Sequence, residues 1–89
     1  MGRVVASFKV FPEDVDVSLE EIKKRIKENL PPEASIHKFE EEPIAFGLKA
    51  IIAHIILPED VSGEMDKIEN ILSRIEKVSQ VQFLMVRRV

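Results

Sequence analysis

No cysteine occurs anywhere in the chain. That absence excludes a disulfide framework and any thiolate metal site, and it makes a cytoplasmic origin the easier expectation. Glycine is scarce, at 3 of 89 residues, and no G-x-G-x-x-G or Walker pattern is present, so no phosphate-cradling loop can be assembled. Long apolar runs are missing as well. The longest, "AIIAHIIL" at 50–57, is far shorter than the roughly 20 residues that a membrane-spanning helix needs. No apolar segment follows the start as a secretory signal would require. The opening "MGRVVAS" carries Ala6 where a myristoylation signal needs Ser or Thr, which excludes lipidation. An excess of positive charge is also lacking: the net charge of −3 argues against nucleic acid as a direct partner, because neutralising several phosphates takes a basic face.

What is present is a chain with 45% hydrophobic and 33% charged residues and no low-complexity tract. That is the composition of a folded protein. Its length has room for one modest core, so residues 1–89 are expected to form a single domain, a monomer when free.

The apolar pattern changes period along the chain. Over 3–11, "RVVASFKVF" sets Val4, Ala6, Phe8 and Val10 on one face against Ser7 and Lys9, the alternation of a strand. Ser18 with Glu21 three residues on predicts a capping box. Leu19, Ile22, Ile26 and Leu30 then give one helical stripe over about 19–29, which Pro31 and Pro32 end. A polar strand is expected over 35–42, its Lys38, Glu40, Glu41 and Glu42 suited to a sheet edge, and an apolar central strand over 47–57. Pro43 and Gly47 punctuate the break between them. Met65, Ile68, Ile71, Leu72 and Ile75 predict a second helix over 63–77, opened by Pro58 and Ser62, and 78–88 alternates as a fourth strand. The order βαββαβ predicts an α+β ferredoxin-like sandwich, a four-stranded antiparallel sheet with two helices on one face. Val5, Phe11, Ile51, Ile55, Leu84 and Val86 are candidates for an apolar open face, which would be a place to meet a partner.

The chain offers little for chemistry. His37 and His54 are the only histidines, and without cysteine they make thin material for a metal or a general base; neither is assigned a role. The acidic runs "PEDVD" and "EEEP" lack the spacing of a calcium loop and read as solvated turns and a charged edge. No metal, cofactor or catalytic residue is expected. At "AFGLKA" (45–50), Phe46 either caps the core beside a turn that Gly47 permits or stands as an aromatic anchor for a partner's pocket. The last nine residues, "VQFLMVRRV", raise a parallel choice. Arg87 and Arg88 are a solubilising tip or, since a strand leads into them and its neighbouring side chains point apart, positioned cations.

Taken together, "IAFGLKAIIAHIILPED", an acidic amphipathic helix and a final strand ending on basic-plus-aliphatic residues resemble the translation elongation factor 1-beta family in its short archaeal form, over nearly the whole chain. The resemblance implies a guanine-nucleotide exchange factor acting on elongation factor 1-alpha, a GTPase, with no bond chemistry of its own. It implies that Phe46, Gly47 and Lys49 form a partner-binding turn, and that Arg87, Arg88 and Val89 form a terminus whose basic side chain enters the partner's magnesium and phosphate region. Eukaryotic members carry lysine at the penultimate position, where this chain has Arg88, and a second lysine where it has Ala50; Arg87 therefore stands beside Arg88 as the inserting residue. Those members also have an N-terminal docking region, and this chain is expected to act without a larger exchange complex. Rival readings on the same fold fit less well. A small-molecule-binding regulatory domain would want glycine-rich loops, and an acylphosphatase-like enzyme would want an arginine in the first loop, which here is acidic.

Overall fold

A computed structural model of the chain describes residues 2–58 and 64–88. The elements are β1 (Arg3–Pro12), α1 (Leu19–Asn29), β2 (Ser35–Pro43), β3 (Lys49–Pro58), α2 (Glu64–Ser73) and β4 (Val78–Arg88). The strands form one antiparallel sheet in the order β2-β3-β1-β4. This is the expected α+β ferredoxin-like arrangement, with the most apolar strands, β1 and β3, in the centre.

The register explains the core. Val4, Ala6, Phe8 and Val10 lie opposite Leu57, Ile55, Ala53 and Ile51, and cross-strand partners share a face. Onto that face α1 brings Ile22 and Ile26, and α2 brings Ile68 and Leu72; all four are fully or almost fully buried in one cluster with the strand residues. Burying each such aliphatic side chain is worth about 1.5–3 kcal/mol of transfer energy, so the pairing of the two helical stripes with one sheet face decides the layering.

Local signals act much as their chemistry requires, with two differences. Ser18 caps α1 by accepting the Glu21 N–H at 3.3 Å, but the capping box is only half made, because the Glu21 carboxylate turns to Arg25 at 3.3 Å. Leu30, forced extended by the proline that follows, ends the helix at ψ 144. The second helix stops at Ser73 and not at 77. Beyond it the N–H groups of Arg74 and Ile75 reach back only three residues, to Ile71 and Leu72 (both 3.3 Å), tightening the last turns. Lys77, at φ 75, then reverses the chain into β4 while Ile75 stays buried. The expected start of this helix, at Ser62 and position 63, lies outside the described residues. Among the described residues no helix is long and apolar enough to cross a membrane.

The expected open face is corrected in its membership: Val5 and Phe11 lie on it by alternation, whereas Ile51, Ile55 and Val86 lie on the helix side. Ile51 and Ile55 belong to the helix-covered core, because β1's alternation fixes their side through the register. Val5 does face away from the helices but is fully buried. Four residues along, Lys9 pairs with Glu42 at 3.2 Å and reaches over the ring of half-buried Phe11, so a long polar side chain covers that end of the face. Val86 lies opposite Ala6 and so on the helix side. Leu84 is the extra residue of a β-bulge, since the β1–β4 register slips between Ser7 and Phe8, which lie opposite Met85 and Phe83.

Candidate functional site

The turn between β2 and β3 is held by two backbone hydrogen bonds. Ile44 N–H donates to the Leu48 carbonyl at 2.8 Å and Leu48 N–H to the Ala45 carbonyl at 3.0 Å. Its two central residues, Phe46 and Gly47, have φ of 58 and 80. This is a primed hairpin turn, the kind whose twist matches that of the flanking strands. Glycine takes such a conformation freely. A phenylalanine does not, and holding a side chain in the left-handed region costs about 1–2 kcal/mol. No packing offsets that cost, because Phe46 is 95% exposed. Of the two readings of Phe46, capping the core is therefore removed. Lys49, exposed at the start of β3, lies opposite Pro43.

A second exposed apolar residue sits beside this turn, and sequence reasoning passed it over. Val15, 57% exposed in the loop from β1 to α1, would lie 3.8 Å from a β-carbon placed on Gly47. Its loop is tied down. Asp14 accepts the Val15 N–H on Oδ1 at 2.6 Å, and Glu13 N–H donates to the Lys77 carbonyl at 2.9 Å. The two loops border a shallow cavity of about 180 Å³ that Gly47 and Lys49 share with Val15 and Asp14. The available signal was a lone apolar residue inside an acidic run.

The arginines lie elsewhere. Arg88 is opposite Val4 and Arg87 opposite Val5, beside the start of β1, whereas the Phe46 turn adjoins the other end of the sheet, where Val10 faces Ile51. At about 3.3 Å per residue the two groups are about 30 Å apart, along a molecule 42 Å long. The described members of the predicted site are thus divided between opposite tips of one sheet. Val89 lies outside the described residues. The bulge at Leu84 also decides which way the arginines point. It keeps Val81, Phe83, Val86 and Arg88 on the helix side and leaves Met85 and Arg87 on the open side, where an unbroken alternation would have exchanged the last residues.

The histidines have different surroundings. His54 bridges buried Ser7, 2.7 Å from Nδ1, and Glu40, 2.6 Å from Nε2. An ionised carboxylate only accepts, so Nε2–H donates to Glu40, and in the neutral ring Nδ1 accepts from the Ser7 hydroxyl. The hydrogen bond from His54, followed by the charge of Lys38, holds the Glu40 carboxyl below the usual glutamate range. With Ser7 only 2% exposed, this chain of three groups offers no accessible nucleophile and serves to satisfy a buried hydroxyl. His37, exposed where the β2–β3 register slips, joins none of it. Among the described residues no group of three or more His, Cys, Asp or Glu side chains is placed to hold a metal ion.

The chain is similar to known proteins in fold and in sequence. The C-terminal domain of the MgtC protein from Mycobacterium tuberculosis superposes with a TM-score of 0.63 over 99% of this chain and 89% of that one, at 10% identity, which is a likeness of fold alone. Sequence relatives are nearer. Elongation factor 1-beta of Methanothermobacter thermautotrophicus is 46% identical, and that of Staphylothermus marinus 42%, each over 100% of this chain and 99% of the relative. The family profile of the EF-1 guanine nucleotide exchange domain matches residues 5–89. A match over nearly the full length of both partners, together with the fold, shows that the chain belongs to the elongation factor 1-beta family.

Proposed function

We propose that this protein is the guanine-nucleotide exchange factor for elongation factor 1-alpha, acting in the cytoplasm as a monomer that grips the GTPase with both ends of its sheet. The observation that carries this reading is the pairing of an exposed aromatic, held at φ 58, with a cationic strand end on one sheet. Strain kept at an exposed residue has a use when a partner recognises it. Phe46 fills a pocket on the GTPase, with Gly47 and Lys49 shaping the turn behind it. At the far end Arg88 enters the region where Mg²⁺ and the nucleotide phosphates meet. A guanidinium placed there competes with the metal for the phosphate oxygens, so GDP is loosened without any bond being made or broken. Because β4 is already paired with β1, the entropy of ordering the tip is spent in folding and not in binding, about 1–2 kcal/mol for each residue.

The test is stopped-flow release of a fluorescent GDP from the GTPase. Release should quicken with added protein and reach a plateau at saturation. A release rate that stays at the intrinsic value at every concentration would refute the reading.

A further inference from the structure

Four consecutive side chains of β4, Phe83, Leu84, Met85 and Val86, are between 41% and 53% exposed. The core does not account for their hydrophobicity. Val78 is a member of the core cluster and Val81 packs against it, but none of the four belongs to it. Phe83 makes one ring contact, edge-on to Phe8 with centroids 5.6 Å apart. Exposed apolar runs of this length on an edge strand invite aggregation unless they serve a purpose. The other edge shows the contrast, since β2 is blunted by Lys38, Glu40, Glu41 and Glu42.

We propose that Phe83–Val86 is a docking strip for the same GTPase, seated on an apolar shoulder beside its nucleotide site; this rests on the exchange reading above. The strip is continuous with the tip. At about 3.4 Å per residue Val86 lies about 7 Å and Phe83 about 17 Å from Arg88 along the strand, inside the footprint of an ordinary interface of about 800 Å² on each partner. β4 is paired with β1 from Val78 to Arg88 apart from its two register shifts, so a tip that enters a partner's surface carries the strip to that surface with it. Neighbouring residues of the strand face opposite ways, so the strip presents apolar side chains on both sides of the edge, with Met85 on the open side and Val86 on the helix side.

Charge selects the occupant. A strip that runs straight into two arginines suits an apolar surface bordered by an anion, which bound nucleotide supplies. A second copy of the chain paired strip to strip does not supply it. Laid antiparallel and centred between Leu84 and Met85, it would set Arg88 against Val81 and Arg87 against Gln82, neither of them charged. The bulge also interrupts the flat edge that strand-to-strand pairing between copies needs.

The experiment compares wild type with Leu84→Gln/Met85→Gln and, as a milder variant that keeps the β-branched shape, Val86→Thr. Calorimetric affinity for the GTPase, the plateau rate of GDP release, the melting temperature and the mass of the free chain are each measured. The double variant should bind at least tenfold more weakly, and Val86→Thr a few-fold, with the plateau within twofold and melting nearly unchanged. Unchanged affinity in both variants overturns the proposal. A lowered melting temperature with normal affinity also does so, by making the strip part of the packing. A free wild-type dimer that the substitutions turn into monomers would make the occupant a second copy. The exchange reading fails separately, if wild type binds but leaves release unaccelerated, and affinities then still judge the strip; absence of binding by wild type overturns both.

Discussion

Phe46 shows how a fold can hold a residue where its own preferences would not. The turn's two central positions favour Asn-Gly, and this chain has Phe-Gly. Phe46→Asn should therefore relieve backbone strain of about 1–2 kcal/mol, raising the melting temperature by about 4–8 °C for each kcal/mol gained. The same change removes the ring and should weaken the complex with the GTPase by about 2 kcal/mol or more, the range of an anchoring aromatic. A melting scan and a binding titration on one preparation check both signs. A variant that melts earlier would return the ring to a structural role. The sequence marked the turn through Gly47, because only glycine moves freely into that region. It did not mark the strain, because nothing about phenylalanine as a residue type announces a positive φ.

At the scale of elements, order and layering were legible because they rest on period: alternation in β1, a three-and-four stripe in each helix, charge on β2. The bulge in β4 was not. Residues 83–86 are all apolar, so no polar position marks the slip, and a shift of one residue exchanges every later side chain between faces. Two predictions belong here. With Arg88 on the helix side and Arg87 on the open side, Arg88→Ala should cut the plateau rate of GDP release by an order of magnitude or more with little change in melting, and Arg87→Ala far less. A larger effect at Arg87 would place the inserting cation on the open face. The other concerns the tie between α1 and the β2 edge. Lys23 donates to Glu41 at 2.8 Å, and Lys23 and Lys27 lie over the Phe39 ring at 5.9 and 5.8 Å. The hydrogen bond from Lys23 lowers the Glu41 carboxyl, and the same bond is the main cause that raises Lys23. A carboxyl lowered by folding contributes stability that is complete above its unfolded value near 4.5 and is lost as pH falls through the folded one. A raised lysine contributes below its value of 10.5 in the unfolded chain and loses that contribution at higher pH. Melting temperature followed downward from pH 6 should fall less steeply below about 4.5 in Glu41→Gln than in wild type; parallel curves would mean that the ion pair is too well solvated to matter.

For the whole molecule, the informative quantity is the separation of the two tips. Sequence places Phe46 and Arg88 on their elements, and the resemblance assigns both to one partner. Their opposite placement follows only from register, since β1 must run antiparallel to both β3 and β4 before the turn and the terminus are sent to different ends. Between the tips lies a sheet whose central strands are buried on the helix side and partly buried on the open side, with Ala6 and Ile55 fully buried on the first and Val5 and Ala50 on the second. Within the described residues the two contacts are linked through that paired sheet. Substitutions that are more than about 7–10 Å apart and share no partners add within about 0.3–0.5 kcal/mol. If the sheet is a rigid spacer, the binding losses caused by Phe46→Ala and Arg88→Ala should sum to the loss in the double variant within that margin, measured calorimetrically against the GTPase. A double variant no worse than the weaker single one would show that each contact forms only when the other does. Coupling of that kind would arise from movement within the complex, and it would make the spacing of the tips the property through which this protein acts on its partner.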